Sequence, residues 1–191
     1  MILQERRRDF DAAFAKASSD APMVQSLDGR KWARISLCGN YRYVLGRGWT
    51  SGLPTMVVIG INPSKADAEV PDPTLTRCVN FAADAGFGGL VMLNLFAWRA
   101  KDVRVLSSVP NPVGPFADYW LDDCTDGGQT VVWASGSPSK VPGPLRARFA
   151  LVRDRLVGAG RVLHALAYNQ DGWPSHPLML KATCRPQRWP L

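Results

Sequence analysis

The stretch MVVIGINPSKADAEVPDPTLTR at residues 56–77 gives the clearest indication of the fold in this sequence. It opens with the apolar run 56–59, which is typical of a strand buried on both faces in a parallel sheet. Gly60, Asn62 and Pro63 then interrupt the run and predict a loop. Asp72 followed by Pro73 indicates the start of a helix, because apolar residues recur at helical spacing beyond it. The stretch is therefore a strand, a long polar loop and a helix.

The same alternation continues along the chain. Three further apolar runs predict buried strands, at residues 90–96, 130–134 and 161–166, and helices are predicted at 73–85, 116–124 and 145–156. A helix is also predicted at residues 2–17, a loop at 18–30, and a β-hairpin at 34–45 around a Gly39-Asn40 turn. Together these elements predict a three-layer α/β/α sandwich with a mainly parallel four-stranded central sheet, an N-terminal helix and a β-hairpin. We expect one domain over residues 1–191, with 1–33 as an N-terminal helical extension.

Composition narrows the functional classes. The chain has 191 residues, 46% of them hydrophobic, which suffices for one globular core. It contains no apolar run long enough to cross a bilayer and no signal-peptide core near its start, so we expect a cytoplasmic protein without a membrane partner. The four cysteines are widely spaced, so no metal site, cofactor or disulfide framework is implied. The formal charge of +7 favours DNA as a partner, and we expect a monomer.

Polar residues gather after the predicted strands. In open α/β sheets, ligands bind outside the carboxyl ends of the strands, and a helix N-terminus there favours anions. The first loop begins with Gly60, Ile61, Asn62, Pro63 and Ser64. An ordinary loop of turn-forming residues remains an alternative explanation for it. In the hairpin region, Arg42, Arg47 and Trp49 are further candidates for ligand contact, although packing also explains Trp49.

Three segments, in this order, resemble the signature segments of the uracil-DNA glycosylase superfamily. VIGINPS at residues 58–64 resembles the first motif of the mismatch-specific uracil/thymine glycosylases. Asn94 within LNL, followed by Arg99, resembles the second-strand segment, and SHPL at 175–178 resembles the late His-Pro motif. The combination NPSxADA…DPTxxR…NLFAxR…HPL also resembles an uncharacterised family of bacterial and phage domains. The chain departs from the uracil enzymes at Ser64, which replaces a glycine, and in lacking a Ser-Pro-Leu-Ser wedge.

The resemblance implies a hydrolase that breaks the N-glycosidic bond of a base flipped out of DNA and leaves an abasic site. It assigns Asn62 to the positioning of the attacking water and His176 to a hydrogen bond with the departing base. Asp67 would stabilise the cationic sugar or activate the water, since carboxylates are common at glycosidic bonds. Asp67 could equally be a loop hydrogen-bonder, and Asp72 a helix cap.

The remaining candidate residues would hold the base and the phosphates. Trp98 or Trp173 would stack on an extruded base, although either could belong to the core. The substrate-binding set is Gly60, Ile61, Pro63, Ser64, Asp72, Asn94, Trp98 and Trp173, and Lys65, Arg77 and Arg99 are candidates for DNA phosphates.

The sequence does not identify the base that would be removed. Because the uracil pattern is incomplete, we expect a non-canonical or modified base, such as modified cytosine in phage DNA attacked in antiphage defence, or uracil in mismatch repair. Two alternatives differ in class: an N-glycosidase acting on free nucleotides or nucleosides, and a non-catalytic nucleic-acid-binding module.

Overall fold

A computed structural model describes residues 2–64 and 73–191. Within these ranges eight strands form one sheet, in the order β1-β2-β3-β5-β4-β6-β7-β8. The strands are β1 (Met23–Gln25), β2 (Lys31–Ile35), β3 (Arg42–Gly48), β4 (Thr55–Gly60), β5 (Gly89–Asn94), β6 (Thr130–Trp133), β7 (Leu163–Ala165) and β8 (Gln187–Arg188). The α-helices are α1 (Ile2–Asp20), α2 (Pro73–Asp84), α3 (Ala117–Thr125) and α4 (Ala147–Gly158).

The centre of the sheet is parallel. Strands β5, β4, β6 and β7 are neighbours in that order, and each pair runs parallel. These are the four strands that the apolar runs predict, so the predicted four-stranded parallel core is confirmed. Helix α2 ends where predicted, because Gly86 takes a positive φ of 84° after it, a conformation that glycine adopts without strain.

Antiparallel strands extend this core at both edges. The predicted hairpin is present as β2 and β3, but its turn is longer than the predicted Gly39-Asn40 pair, since the Ser36 N–H donates to the Tyr41 carbonyl at 3.0 Å. The prediction of loop at residues 18–30 is wrong where β1 pairs with β2, and β8 was not predicted. Both strands are short and exposed, so neither carries the apolar alternation that identifies a half-buried strand.

Helices cover both faces of the sheet. On one face, Leu75, Cys78, Phe81 and Ala82 of α2 pack against Met56 and Val58 of β4. On the other face, α1, α3 and α4 pack against Val57 and Ile59 of the same strand. The alternate residues of β4 therefore enter two separate cores, as the run of buried residues predicts, and the three-layer α/β/α sandwich is confirmed. Ala17 of α1 is fully buried, so the N-terminal segment belongs to this core.

The crossovers before and after β5 run in opposite directions across the sheet. The crossover through α2 leads from β4 to β5, whereas α3 leads from β5 past β4 to β6 on its other side. A crevice forms at such a switch point beyond the carboxyl ends of the strands. In the described part of the chain, no helix combines the length and apolar character that crossing a bilayer requires.

Candidate functional site

A cleft of about 190 Å³ lies at the carboxyl ends of β4 and β5. Its walls come from the loop after β4, the end of β5, the first turn of α2, the start of β3 and the His176 loop. The lining residues are Arg42, Gly60, Ile61, Asn62, Ser64, Thr74, Met92, Asn94, Ala100, Lys101 and His176. The cleft therefore unites the three segments on which the sequence resemblance depends.

Hydrogen bonds from the side-chain amide nitrogen of Asn62 hold this residue in place. Its Nδ2 donates to the carbonyl of Pro63 at 3.1 Å and to that of Ala100 at 2.8 Å. The Pro63 carbonyl also accepts from the Ala100 N–H at 2.9 Å, so the loops after β4 and β5 are joined here. Since both N–H groups of the amide are used, Oδ1 is the atom of Asn62 that can accept a hydrogen bond from a ligand or a water.

Asn94 places a buried donor in the cleft. It is the last residue of β5 and is 6% exposed, and its Nδ2 has no hydrogen-bond partner among the described residues. Buried amide groups are nearly always paired, and an unpaired one costs about 1–3 kcal/mol. A ligand with an oxygen or nitrogen acceptor would remove that cost.

Gly60 makes room for the Asn94 side chain. A Cβ at position 60 would lie 2.9 Å from the Asn94 Oδ1, closer than van der Waals contact. The close approach explains why a glycine ends β4, since Gly60 is not among the residues with positive φ. Gly60 therefore acts on the cleft through the position of Asn94.

His176 enters the cleft from a compact loop. Within that loop the Ser175 N–H donates to the Ala167 carbonyl and the Ser175 hydroxyl donates to the Asn169 Oδ1, both at 2.8 Å. His176 has an extended backbone before Pro177, as the residue before a proline prefers. Its Nδ1 accepts from the Leu178 N–H at 3.4 Å. A neutral imidazole with Nδ1 as acceptor carries its proton on Nε2, which is then a donor.

Two cationic side chains also line the cleft. Arg42 is 1% exposed although it carries a guanidinium, and Lys101 follows β5 on the exposed rim. Thr74 belongs to the first turn of α2, where the helix N-terminus adds positive potential. No carboxylate is present among the described lining residues.

Several predicted residues do not line the cleft. Pro63 is buried and supplies the carbonyl that joins the two loops. Trp98 stands edge-on to Tyr41 with ring centroids 5.3 Å apart. Trp173 packs between Phe149 and Trp189 at 5.8 and 5.3 Å. Both tryptophans therefore pack against the core, the alternative that the sequence left open for them.

The two described arginines of the phosphate set also make structural contacts. The Arg77 guanidinium donates to the Leu180 carbonyl and lies 4.7 Å from the Phe81 ring centroid, which ties α2 to the segment after His176. Arg99 donates to the Gly39 carbonyl at 3.1 Å and so holds the hairpin turn. Neither lines the cleft. Lys65, Asp67 and Asp72 lie outside the described residues, and their roles stay predictions.

Sequence reasoning missed Thr74, Met92, Ala100 and Lys101 as lining residues. Lys101 carried a weak signal, because it follows the NLFAxR segment at the same edge of the sheet. Arg42 was noted only as one candidate among three in the hairpin region. Arg47 and Trp49 line a separate groove at the opposite edge, beside Arg30 and Gly89.

No curated protein and no solved structure that we compared with the chain gives a match. A family model does match, over residues 42–178, and its description is "Protein of unknown function (DUF1643)". The matched residues span every described residue that lines the cleft, from Arg42 to His176. Because the match covers well over half of the sequence, the chain belongs to this family.

Proposed function

We propose that the protein is a monofunctional DNA glycosylase that hydrolyses the N-glycosidic bond of a flipped, non-canonical or modified base. The observation that carries the proposal is the pairing of one acceptor, Asn62 Oδ1, with a set of donors from Asn94 and His176 in one small cleft. We further infer that it acts on cytoplasmic DNA as a monomer.

The reaction needs two kinds of support. The C1′–N bond breaks with its electron pair passing to the base nitrogen, while the water oxygen bonds to C1′ and the water proton passes to solvent or to the base. Positive charge therefore develops on the sugar and negative charge on the base. Asn62 orients the water by accepting one of its hydrogens, and Asn94 Nδ2 and His176 Nε2 donate to the base.

The size of the cleft suits a base alone. At about 190 Å³ it has room for roughly six water molecules. A whole nucleotide would not fit, so its sugar and phosphates would lie at the rim. A base that must enter such a cleft has to leave the helical stack.

Two exposed apolar side chains beside His176 support base extrusion. Leu178 is 43% exposed and Met179 is 92% exposed, on the short helical turn that follows His176. Apolar wedges of this kind enter the base stack in proteins that distort DNA. This turn would occupy the space that the extruded base leaves, although the chain lacks the Ser-Pro-Leu-Ser run.

Exposed lysines at the edge of the sheet that carries the cleft would contact the DNA phosphates. Lys101, Lys140 and Lys181 are exposed and follow β5, β6 and the His176 turn. The arginines of α4 are less available, since Arg148 and Arg155 form ion pairs with Asp118 and Asp122 of α3. Replacing the three lysines by alanine should weaken DNA binding and reduce its salt dependence. Lys31→Ala, at the exposed start of β2, is the matched control.

The test of activity is strand cleavage by alkali after incubation with DNA. The substrates are duplex and single-stranded oligonucleotides with uracil, mismatches or modified cytosines, and phage genomic DNA with modified bases. We expect breaks with the wild type and few with Asn62→Ala or His176→Ala. Asn40→Ala, at an exposed asparagine in the hairpin turn, should retain full activity.

The outcomes separate the three functional classes. If the wild type releases a base from DNA and both cleft variants lose this activity, the result supports the DNA glycosylase. Release of base from free nucleotides but not from DNA would replace it with a small-molecule N-glycosidase. Salt-sensitive DNA binding without release of any base would assign the chain to the non-catalytic binding modules.

A further inference from the structure

A groove of about 580 Å³ lies at the amino edge of the parallel strands, at the opposite end of the sheet from the cleft. It borders the end of β3 and the starts of β4 and β5, because Gly89 pairs with both Gly48 and Thr55. Its volume falls within the range of about 300–1,000 Å³ that is usual for ligand sites. We call it the amino-edge groove, and the lining residues that matter here are Asp28, Arg30, Trp32, Arg47 and Trp49.

The Trp32 indole is held against the backbone of β3. Trp32 pairs with Gly46, and a Cβ at position 46 would lie 2.0 Å from the Trp32 Cε2 atom. Gly46 is not among the residues with a positive φ, so the indole and not the backbone conformation requires a glycine there. A glycine weakens the interior of a strand, and in β3 it gives this indole a fixed position beside the groove.

Trp49 is a second fixed indole beside the groove. Its Nε1 donates to the Phe87 carbonyl at 2.8 Å. The Trp49 ring packs against the core under α2, whereas Trp32 packs against the core on the other face of the sheet, and both remain partly exposed. Because little side-chain freedom is left to lose when a ligand binds, both rings are suited to stacking on planar groups.

Arginines supply positive charge at the same place. The Arg30 side chain is 66% exposed, and the Arg47 guanidinium donates to the Gly46 carbonyl at 2.8 Å. Asp28 is the one carboxylate among the described lining residues. It accepts from the Ser26 hydroxyl at 2.6 Å and from the Arg30 N–H at 3.0 Å, so it shapes the turn that presents Arg30. The Arg30 Nε lies 4.0 Å from this carboxylate, and an exposed pair of that kind is weak enough to exchange for a phosphate.

We propose that the amino-edge groove binds single-stranded nucleic acid, with unpaired bases stacked on Trp32 and Trp49 and a phosphate held by Arg30. Aromatic platforms in a positively charged groove suit such a ligand, since every base has a π-face and every linkage carries a charge. A duplex keeps the faces of its bases inside the stack, so it offers the indoles no partner. The inference goes beyond the proposed function, because it requires no base release and concerns the other edge of the sheet. Unpaired bases on a phosphodiester chain are common to DNA and RNA, and the test separates these two sources.

The test is fluorescence anisotropy with labelled oligothymidylate and oligouridylate of about twelve nucleotides, at several salt concentrations. Arg30→Ala should reduce the steepness of log affinity against log salt by about 0.7, the value for one phosphate contact on a single strand. Trp32→Leu should weaken binding at least about fivefold, whereas Trp32→Phe should keep most of the affinity because an aromatic ring remains. Binding should also quench tryptophan fluorescence less in Trp32→Phe than in the wild type. Urea unfolding of each variant checks that it is folded.

Two controls separate the groove from other positive surfaces. Arg104→Ala is the matched control for Arg30→Ala, because Asp102 accepts from the Arg104 N–H at 2.9 Å and pairs with its guanidinium in the same arrangement, outside the groove. It should bind oligothymidylate as the wild type does. The variant with alanine at Lys101, Lys140 and Lys181 should also keep this affinity, since those lysines belong to the edge that carries the cleft.

Each result supports or overturns the inference. Binding that depends on Arg30 and on an aromatic ring at position 32 supports it, and the ratio of the two affinities then identifies DNA or RNA as the ligand. No binding of either oligonucleotide overturns it, and so does unchanged binding in Arg30→Ala or in Trp32→Leu. Equal competition by inorganic polyphosphate also overturns it, since the groove would then hold any polyanion. A loss confined to the triple lysine variant would assign the single strand to the cleft edge instead. Because the readout is binding, it is independent of the cleavage assay.

Discussion

Gly60→Ala tests whether a glycine is required at the end of β4 to make room for the Asn94 side chain. The new Cβ would stand 2.9 Å from Asn94 Oδ1, and ordinary contact begins at 3.4 Å, so the amide must move by about half an ångström. A displacement of that size would lengthen a hydrogen bond of about 2.9 Å to about 3.4 Å, past the usual range of about 2.7–3.2 Å. The Asn94 donor should therefore be lost to the substrate, while the backbone of β4 stays in place.

The magnitude follows from one lost hydrogen bond. We expect base release to slow by about 5- to 30-fold, which corresponds to roughly 1–2 kcal/mol. The free energy of unfolding should stay within about 1 kcal/mol of the wild type, because an alanine in a compatible conformation restricts the unfolded chain and offsets some strain. The variant should therefore lose activity while its stability stays nearly unchanged.

The assay combines single-turnover base release with urea unfolding followed by tryptophan fluorescence. Gly48→Ala is the matched control, because among the described residues a Cβ there would meet the Arg30 carbonyl alone, at 4.0 Å. The double variant Gly60→Ala/Asn94→Ala should be no slower than Asn94→Ala alone, since both changes remove the same donor.

Three results would refute this reasoning. The first is full activity in Gly60→Ala, and the second is an equal loss in Gly48→Ala. The third is an additive loss in the double variant, which would mean that Gly60 acts on something other than Asn94. The side-chain amide resonances of Asn94 give an independent readout, because they should shift in Gly60→Ala whatever reaction the cleft performs.

The other predictions concern the scaffold around the cleft. Arg77→Met should lower the free energy of unfolding by about 1–2 kcal/mol, because it removes the donor to the Leu180 carbonyl and the cation over Phe81. If the urea midpoint is unchanged and the salt dependence of DNA binding is smaller, Arg77 contacts a DNA phosphate instead. Trp173→Ala should cost about 3 kcal/mol in urea unfolding and Trp173→Phe much less, because the indole packs on Phe149 and Trp189; a loss of activity at full stability would indicate base stacking. Burial raises the pKa of the Cys124 thiol from 9.0 to about 12. The stability due to the neutral thiol is complete below pH 9.0 and is lost as the pH rises towards 12, so alkaline unfolding should begin later in Cys124→Ala, and a curve that matches the wild type would contradict this role.

The sequence predicted the parts of the fold that depend on local patterns. Residues 56–59 are apolar at every position because β4 is buried on both faces, and that pattern alone identified a parallel core strand. Edge strands β1 and β8 carry no such pattern, because their residues are exposed and backbone pairing alone places them. The hairpin turn was misjudged because a Gly-Asn pair fits a two-residue turn as well as part of a longer one.

The candidate site was predictable where each residue follows a strand. Asn94 is the last residue of one strand, and Asn62 and His176 follow two others, so the rule on carboxyl ends was enough to bring them together. Arg42 stands at the beginning of its strand, and its place in the cleft depends on the antiparallel direction of β3 and on a β-bulge, where the pairing with β2 shifts between Arg34↔Val44 and Ile35↔Arg42. A bulge changes which face a side chain takes without leaving a periodicity that a sequence can reveal.

The boundaries of the family match support treating the cleft as the unit of function. The match begins at residue 42 and ends at residue 178, so it starts with the arginine that lines the cleft and ends in the short helical turn that follows His176. Helix α1 and strands β1, β2 and β8 lie outside the match, although β2 pairs with β3 throughout the hairpin. The elements outside the match complete the edges of the sheet and one helical layer, whereas every described residue of the cleft lies inside it.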